Sequence, residues 1–223
     1  MSGPPYDTLN LGGHVGDDPA AVAENRRRIA ATCHISPGRV LFMRQVHGAA
    51  VAVADDPWSD SGAPAADGMV TSRLDTALAV LVADCVPVLL ADETAGVVGA
   101  AHAGRSGLAR GVVPATLAQM AALGAEPERV RAQVGPAVCG LCYEVPQALQ
   151  DEVVAAVPAA RSITRQGTPA LDIPGGVEAQ LRGHGVSQIE RVRRCTLEED
   201  SLFSYRRAGG ATGRFAGLIW LVA

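Results

Sequence analysis

The sequence lacks lysine, and all 19 of its cationic residues are arginine. This absence excludes a Schiff-base lysine and the lysine of a Walker-type phosphate loop. No apolar run approaches the roughly 18 residues that a membrane span needs, and no secretion signal is recognisable at the start. The formal net charge of −4 gives no bulk attraction to nucleic acid or anionic lipid. We therefore expect a cytoplasmic protein with neither nucleic acid nor membrane as a partner.

The sequence contains few cysteines, and their number is odd. The five residues are Cys33, Cys85, Cys139, Cys142 and Cys195. In a chain without a secretion signal, reduced thiols are the simpler interpretation, and metal binding or catalysis are their possible uses. Cys139 and Cys142 form a C-x-x-C pair, but a zinc ribbon needs a second such pair, and flanking prolines favour an irregular loop. We interpret these two as structural or packing thiols.

The composition is that of a globular enzyme, with 48% hydrophobic and 19% charged residues among 223. Neither a repeat nor a low-complexity linker is visible, so we predict one domain spanning 1–223, with residues 57–66 as a surface loop. Strand-like segments cluster in runs, and helices lie between them without strict alternation. The predicted class is α+β, with mixed β-sheets packed against helices.

Several elements are predicted individually. A helix begins at Pro19 and is capped by Asp17 or Asp18. Segments 39–47 and 49–55 are predicted as a β-hairpin that turns near Gly48. Further strands are predicted at 66–72, 76–84, 86–92, 96–103, 129–136, 188–194 and 216–223. One long helix over 107–123 is predicted to kink at Pro114, a second to open at Pro146 and a third to end near Gly183.

His47, Cys85 and His102 each lie where a predicted strand ends or breaks, Cys85 because Pro87 should interrupt its strand. If these strand ends converge, the three side chains provide three protein ligands and one open position, which is the pattern of catalytic zinc. A thiolate ligand favours Zn²⁺ or Cu(I) over Mg²⁺ or Ca²⁺. The alternative is that each is an ordinary residue at the end of a strand.

Other segments carry candidate ligand groups. The turn "HAGRSG" leads into a helix, so its backbone amides and Arg105 could bind an anion, or the turn could simply be solvated. Asn10, His14 and Asp17 surround a glycine-rich turn that is either a ligand loop or a helix entry. Tyr205, Arg206, Arg207 and Arg214 form either a basic ligand-binding loop or an exposed turn. His34 and His184 stand beside turns and are predicted to be solvated.

Seven ordered segments resemble the signature of the laccase-domain family. They are "LNLGGHVGDDPAAVAENR", "QVHG", "ADGMVT", "ADCVPVLL", "AAHAGRSG", "VGPAVCGLCYEV" and "CT…D…FSYRR…TGR". The resemblance runs from Asn10 to Ala223. Members have been described as multicopper polyphenol oxidases and as purine nucleoside phosphorylases. The sequence differs from the usual pattern in two places: "MSGPPYDT" precedes "LNL" where members carry a strand and a "GGVS" segment, and "HAGRSG" replaces "HAGWRG".

The resemblance implies a single α+β domain and a Zn²⁺ site formed by His47, Cys85 and His102. It also implies phosphorolysis of adenosine, inosine and methylthioadenosine, with adenosine deamination alongside. The expected partners are thus a purine nucleoside and phosphate, with Arg105, Arg44, Asn10 and His14 as candidate substrate-binding residues. Monomer and homodimer both stay open.

Three alternatives remain. Cys85 could be the nucleophile of a cysteine hydrolase, with His47 or His102 as its base. Copper could replace zinc in a phenol oxidase, although five histidines are few for a multicopper centre. The protein could also be a non-enzymatic binding module stabilised by zinc, in which case the fourth coordination position would be closed.

Overall fold

The computed structural model describes residues 1–7 and 9–222. Its helices are α1 (Pro19–Thr32), α2 (Arg105–Ala109), α3 (Val112–Ala122), α4 (Gln147–Ala156) and α5 (Ile173–Gly183). Its strands are β1 (Val40–Phe42), β2 (Val51–Val53), β3 (Gly68–Thr71), β4 (Ala77–Val82), β5 (Val86–Asp92), β6 (Val97–Ala103), β7 (Arg131–Val134), β8 (Arg161–Ile163), β9 (Pro169–Leu171), β10 (Gln188–Arg191) and β11 (Phe215–Trp220). The predicted α+β class is confirmed. Ala223, the last residue of the predicted C-terminal strand, lies outside the described residues.

The strands form two main sheets and one small one. The larger sheet has the order β10-β7-β5-β6-β3-β2, the smaller β1-β4-β11, and β8 pairs with β9. Both main sheets are mixed, as predicted. In the larger sheet β5 is antiparallel to β6 and β7, whereas β2–β3 and β7–β10 are parallel pairs.

The two main sheets pack face to face, and helices cover their outer surfaces. Strand β4 illustrates this, because all six of its residues are buried. Leu78, Val80 and Val82 point into the core between the sheets. Ala77, Ala79 and Leu81 point the other way, into the core beneath α1. A strand covered on both faces has no polar side, which explains its continuous apolar run.

A third core lies on the far side of the larger sheet, beneath α2 to α5. Val86, Val88 and Leu90 of β5 contribute to it, together with Leu117 and Met120 of α3. The central strands β5 and β6 are therefore held on both faces. Their ends are fixed points from which site residues can project.

The predicted hairpin around Gly48 is wrong. β1 pairs with β4 in the smaller sheet, and β2 pairs with β3 in the larger sheet, both in parallel. The connection between β1 and β2 thus crosses from one sheet to the other. It does so as a loop whose amides, around His47, bond to a side chain rather than across a turn.

Pro87 does not interrupt its strand, contrary to prediction. It lies inside β5, paired with His102 of β6. The His102 N–H donates to the Asp67 carbonyl on the opposite side of β6, at 2.7 Å, so the Pro87–His102 pair exchanges no hydrogen bond. A missing N–H is therefore harmless at this position. Cys85 accordingly precedes β5, in the bend after β4.

The prediction of a single long helix over 107–123 is also wrong, because the chain forms two helices, α2 and α3, with a break at Gly111. Gly111 adopts φ +81°, a left-handed conformation that ends a helix and suits glycine. Pro114 then falls in the first turn of α3, where no helical N–H is lost. The other helix predictions are confirmed, including the Asp18 side chain as N-cap of α1. Among the described residues, no helix has the length and apolar character to cross a bilayer.

Candidate active site

His47, Cys85 and His102 converge at one edge of the larger sheet. The β5–β6 register pairs Val86 with Ala103, so the residue before β5 lies beside the end of β6. This register brings Cys85 next to His102. His47 arrives from the loop between β1 and β2.

The three donor groups are close enough to share one ion. The Cys85 Sγ lies 3.9 Å from the His47 Nε2, and one donor atom from each residue lies within 4.8 Å of the others. The two imidazole rings meet edge to face, with centroids 4.8 Å apart. His102 is buried, Cys85 half-buried and His47 exposed, so the cluster has one open side.

Asp67 organises this cluster, although it is not among the candidate ligands predicted from the sequence. Its side chain is fully buried, and its Oδ1 accepts a 2.8 Å hydrogen bond from the His102 Nδ1. That bond leaves the His102 Nε2 free as a donor atom, which is the usual carboxylate–histidine–metal arrangement. The available signal was the polar Asp67 in "ADGMVT", directly before an apolar strand.

The same carboxylate fixes the loop that carries His47. Three successive backbone N–H groups, of Val46, His47 and Gly48, donate to Asp67 at 2.7–3.1 Å. His47 adopts φ +58°, in the left-handed region that only a few per cent of non-glycine residues occupy. The amide bonds to Asp67 therefore hold strained backbone where a donor side chain is needed.

The charges of Cys85 and His102 are coupled. Burial raises the pKa of the Cys85 thiol, but the charge and hydrogen bond of His102, with a smaller effect of His47, outweigh it and lower the pKa to about 6. Burial lowers the pKa of His102, but Cys85 and Asp67 outweigh it and raise the pKa to about 9. Without metal, the pair is thus a thiolate beside an imidazolium. A metal ion can bind by taking the place of the imidazolium proton that faces the thiolate.

The donor set fits a metal ion. Two imidazole nitrogens and one thiolate are preferred ligands of Zn²⁺, and three protein ligands with an open side are typical of catalytic sites. Donors bound to one Zn²⁺ lie about 3.5 Å apart, so the cluster needs only a small contraction. The same His₂Cys set also suits copper, although no methionine is among the described residues that line the adjacent pocket.

The cluster opens onto a pocket of about 500 Å³. This volume is in the range of small-molecule sites. Besides the cluster itself, the side chains that line it include three arginines, two tyrosines and a third histidine: Arg105, Arg206, Arg214, Tyr143, Tyr205 and His14. The pocket therefore combines cations and aromatic surface beside the metal-ligand set.

Arg105 lies on the pocket wall and is half-buried. Its guanidinium makes no hydrogen bond or ion pair with the residues that the structure describes. The helix it opens, α2, is only five residues long, so the expected anion site at a helix start has little dipole behind it. The guanidinium itself is the group available to an anion.

Two C-terminal arginines approach the same pocket. The Arg214 backbone N–H donates to the Asn10 Oδ1 at 2.8 Å, and burial lowers the pKa of its side chain despite the nearby Cys85 and Asp84. The Arg206 guanidinium lies 4.9 Å from the centre of the Tyr143 ring and donates to the Glu144 carbonyl. Arg207 instead donates to carbonyls of its own segment, including Leu202.

The remaining candidates divide between the pocket and its support. His14 lines the pocket, and burial together with Arg214 and Arg26 lowers its pKa, so the imidazole is neutral. Asn10 is fully buried and lies outside the pocket lining, where it bonds to Gly12 and Asp17 of the same loop. Arg44 is exposed and also lies outside the lining. His34 and His184 are exposed, as predicted.

Two further residues shape the site. Asp84 adopts φ +92° directly before Cys85, and its carboxylate accepts from the Thr196 hydroxyl at 2.6 Å and the Arg206 N–H at 2.8 Å. This ties the Cys85 bend to the C-terminal segment. Gln45 bonds to both backbone groups of Leu81 at the end of β4. Neither residue was singled out in the sequence, because their partners are distant along the chain.

Gly104 makes the convergence sterically possible. A Cβ atom at this position would lie 2.9 Å from the His47 Cδ2 and 3.0 Å from the Cys85 Sγ. Contacts this short would push both donor groups away. Glycine is therefore required here by close approach, since the backbone φ of −80° is open to any residue.

Comparisons with known proteins agree on one family. The sequence profile described as multi-copper polyphenol oxidoreductase laccase matches residues 1–222. A Streptomyces griseus protein named purine nucleoside phosphorylase ORF3 is 57% identical over 222 residues, which cover 99% of this chain and 90% of that protein. A purine nucleoside phosphorylase of Streptomyces coelicolor is 55% identical over 221 residues, covering 99% and 91%.

The fold also matches a solved structure. The crystal structure of YlmD from Geobacillus stearothermophilus superposes with a TM-score of 0.92 at 33% identity. The match covers 100% of this chain and 88% of that one.

Proposed function

The chain belongs to the multi-copper polyphenol oxidoreductase laccase family, and from this membership and its pocket we propose that it is a zinc-dependent purine nucleoside phosphorylase. The observation that carries the proposal is the His47, Cys85 and His102 cluster, which opens onto a 500 Å³ pocket furnished with arginines. Relatives at 55–57% identity bear the name of this activity. Adenosine, inosine and methylthioadenosine are the proposed substrates.

Phosphate binding is assigned to the arginines of the pocket. Arg105 has an uncommitted guanidinium, and Arg206 and Arg214 line the same cavity. Guanidinium groups bind phosphate through paired, charge-assisted hydrogen bonds. Together they can hold the dianion at the cost of little rearrangement, because Arg206 and Arg214 are already fixed by backbone contacts.

The reaction joins a phosphate oxygen to the anomeric carbon of the ribose while the bond from that carbon to the purine nitrogen breaks. The anomeric carbon passes through a cationic, oxocarbenium-like state. The departing purine takes up one proton, which balances the proton that hydrogen phosphate loses as it becomes the sugar phosphate. Neutral His14 can supply a hydrogen bond to the substrate, and the rings of Tyr143 and Tyr205 offer flat surfaces for the base or sugar.

Zn²⁺ held by His47, Cys85 and His102 would supply Lewis-acid polarisation and would lower the pKa of water to about 7. The chain's own contribution is orientation. Asp67 keeps the proton of His102 on Nδ1, and it fixes the loop of His47 through three amides. Half-buried Cys85 is kept as a thiolate by its two histidine neighbours.

Adenosine deamination is the proposed side activity. It exchanges the exocyclic amine of the purine for an oxygen from water, so it needs the zinc site but no phosphate. Formation of inosine in phosphate-free buffer would therefore separate it from phosphorolysis.

A cysteine hydrolase is the second candidate, favoured by the lowered pKa of Cys85 beside His102. The two candidates differ in what they require of the thiol. A nucleophilic Cys85 must stay free of metal, whereas the phosphorylase proposal occupies it. Copper-dependent phenol oxidation and a purely structural zinc module are tested by the same metal measurements.

The experiment compares metal content and turnover across matched variants. Wild-type protein, Cys85→Ala and the control Cys33→Ala are stripped of metal and reloaded with Zn²⁺ or Cu²⁺. We expect zinc-loaded wild type and Cys33→Ala to release base from adenosine. Cys85→Ala should neither retain zinc at this site nor turn over adenosine. The hydrolase would instead be supported if metal-free wild type showed full turnover and if alkylation of Cys85 abolished that turnover.

A further inference from the structure

A second group of metal-binding side chains lies outside the active site. Cys139 and Cys142 belong to the loop between β7 and α4, and Cys195 and Glu198 follow β10. One donor atom from each of the four lies within 4.8 Å of the others. Cys139, Cys195 and Glu198 border a separate cavity of about 340 Å³ that shares no lining residue with the active-site pocket.

The sheet brings these two segments together. β7 and β10 are parallel neighbours, so their C-terminal ends leave the sheet side by side. The pairing continues beyond the strands, because the Thr196 N–H donates to the Ala137 carbonyl at 3.1 Å. The Cys139 N–H then points at the Cys195 Sγ, at 3.4 Å. The close approach of the thiols thus follows from backbone pairing.

The C-x-x-C turn completes the group. The Cys142 N–H donates to the Cys139 carbonyl at 3.0 Å, which folds both thiols to the same side. Four protein donors of this kind match a tetrahedral structural zinc site, with no position left for substrate. Thiolates on one Zn²⁺ lie about 3.8 Å apart, so closing the site needs about 1 Å of movement at its widest pair.

A positively charged side chain already lies beside these donors. Arg165 is the cation now present: it contacts Glu198 at 2.6 Å and the Cys142 Sγ at 3.2 Å. It is 51% exposed, so it can swing into solvent when a metal binds.

We propose that Cys139, Cys142, Cys195 and Glu198 form a second, structural Zn²⁺ site. Three thiols lose their protons as the metal binds, and no oxidation is involved. The site clamps two segments that also build the active-site wall, since Tyr143 follows Cys142 and Arg206 lies downstream of Glu198. This proposal does not depend on the identity of the substrate.

Metal content of single variants tests the site. We expect about two zinc ions per chain in the wild type and in the control Cys33→Ser. Cys142→Ser and Cys85→Ala should each lose one, and the double variant both. Loss of the second site should also lower Tm by about 5 °C or more. A Cys142→Ser protein with the metal content of the wild type would overturn the proposal.

Cobalt spectra of the intact chain avoid dependence on variant folding. With Co²⁺ in place of Zn²⁺, the thiolate-to-cobalt charge-transfer absorption should correspond to four bound thiolates. One is Cys85, and the other three lie in the second site, where Co²⁺ should be tetrahedral. Absorption equivalent to the single thiolate of Cys85 would contradict the second site. So would a Cys139–Cys142 disulfide found by peptide mapping of freshly purified, unreduced protein. Neither readout involves nucleoside turnover, so the two proposals can fail separately.

Discussion

At the residue scale, the proposed active site depends on one carboxylate that carries out two tasks. Asp67 orients the imidazole of His102 and gathers the amides of the His47 loop. An asparagine at this position could accept only some of these bonds, and its NH₂ group would face amide donors. The orientation of the proposed metal ligands therefore rests on a residue that does not itself line the pocket.

We predict that Asp67→Asn lowers zinc affinity and kcat/KM by roughly 10–100-fold, the range found for partners of metal ligands. Competition with a chelator measures the affinity, and base release from adenosine measures turnover. Asp55→Asn, an exposed aspartate, is the matched control and should behave as wild type. Normal zinc affinity in Asp67→Asn would refute the orienting role.

Arg105 gives a second prediction at this scale. Removing a charged hydrogen-bond donor costs about 1.5–3 kcal/mol, so Arg105→Gln should raise the KM for phosphate about 10-fold or more. The KM for adenosine should change little. Arg110→Gln, exposed five residues later, serves as control. An unchanged phosphate KM would remove Arg105 from the phosphate site.

At the scale of elements, the site is made by strand ends that meet at one edge of the larger sheet. The β5–β6 register places Cys85 beside His102, and Gly104 leaves room for both Cys85 and His47. These contacts are possible only because β6 passes into α2 through a residue without a side chain.

Gly104→Ala is predicted to abolish zinc binding at this site, because the new Cβ would lie about 3 Å from two donor groups. Gly183→Ala, with open space around its Cα, is the control for the loss of a glycine. Zinc content and Tm should be measured together. If a folded Gly104→Ala protein retained zinc, the side chains of His47 and Cys85 would be able to move aside and still bind the metal, contrary to the prediction.

The helices and strands also show which features could be predicted from the sequence and which could not. The strand end near His102 was visible as a turn signal, and "HAGRSG" correctly marked a turn before a helix. The break at Cys85 was predicted from Pro87, which in fact lies inside β5. The hairpin at Gly48 was wrong because adjacent strands in the chain pair in different sheets. The only local signal for Asp67 was a polar residue before an apolar strand, and Asp84 and Gln45 had none, since each of the three acts through contacts with residues about 20 or more positions away.

At the scale of the whole molecule, stability comes from cores on both faces of two sheets, with buried polar groups at the joins. Asp92, at the end of β5, is one of these: it is fully buried and accepts hydrogen bonds from Arg129 and from the amides of Glu126 and Ala95. Burial raises its pKa, but these bonds outweigh that effect and lower it to about 2.

The sign of the resulting pH dependence follows from this lowered pKa. The ordinary aspartate value is about 3.9, so the stabilisation by Asp92 is complete above about pH 4 and is lost as the pH falls through about 2. Asp92→Asn should cost about 2 kcal/mol at neutral pH and should flatten the acid limb of the Tm profile. Exposed Asp56→Asn is the control. Parallel acid limbs in wild type and Asp92→Asn would contradict this account.

We propose that the pocket beside His47, Cys85 and His102 carries out phosphorolysis. The most direct measurement is the products formed from adenosine by the zinc-loaded protein, with and without inorganic phosphate. We predict adenine and ribose 1-phosphate in equal amounts, dependent on phosphate and lost in Cys85→Ala. Release of adenine with free ribose, at a rate independent of phosphate, would contradict the claim.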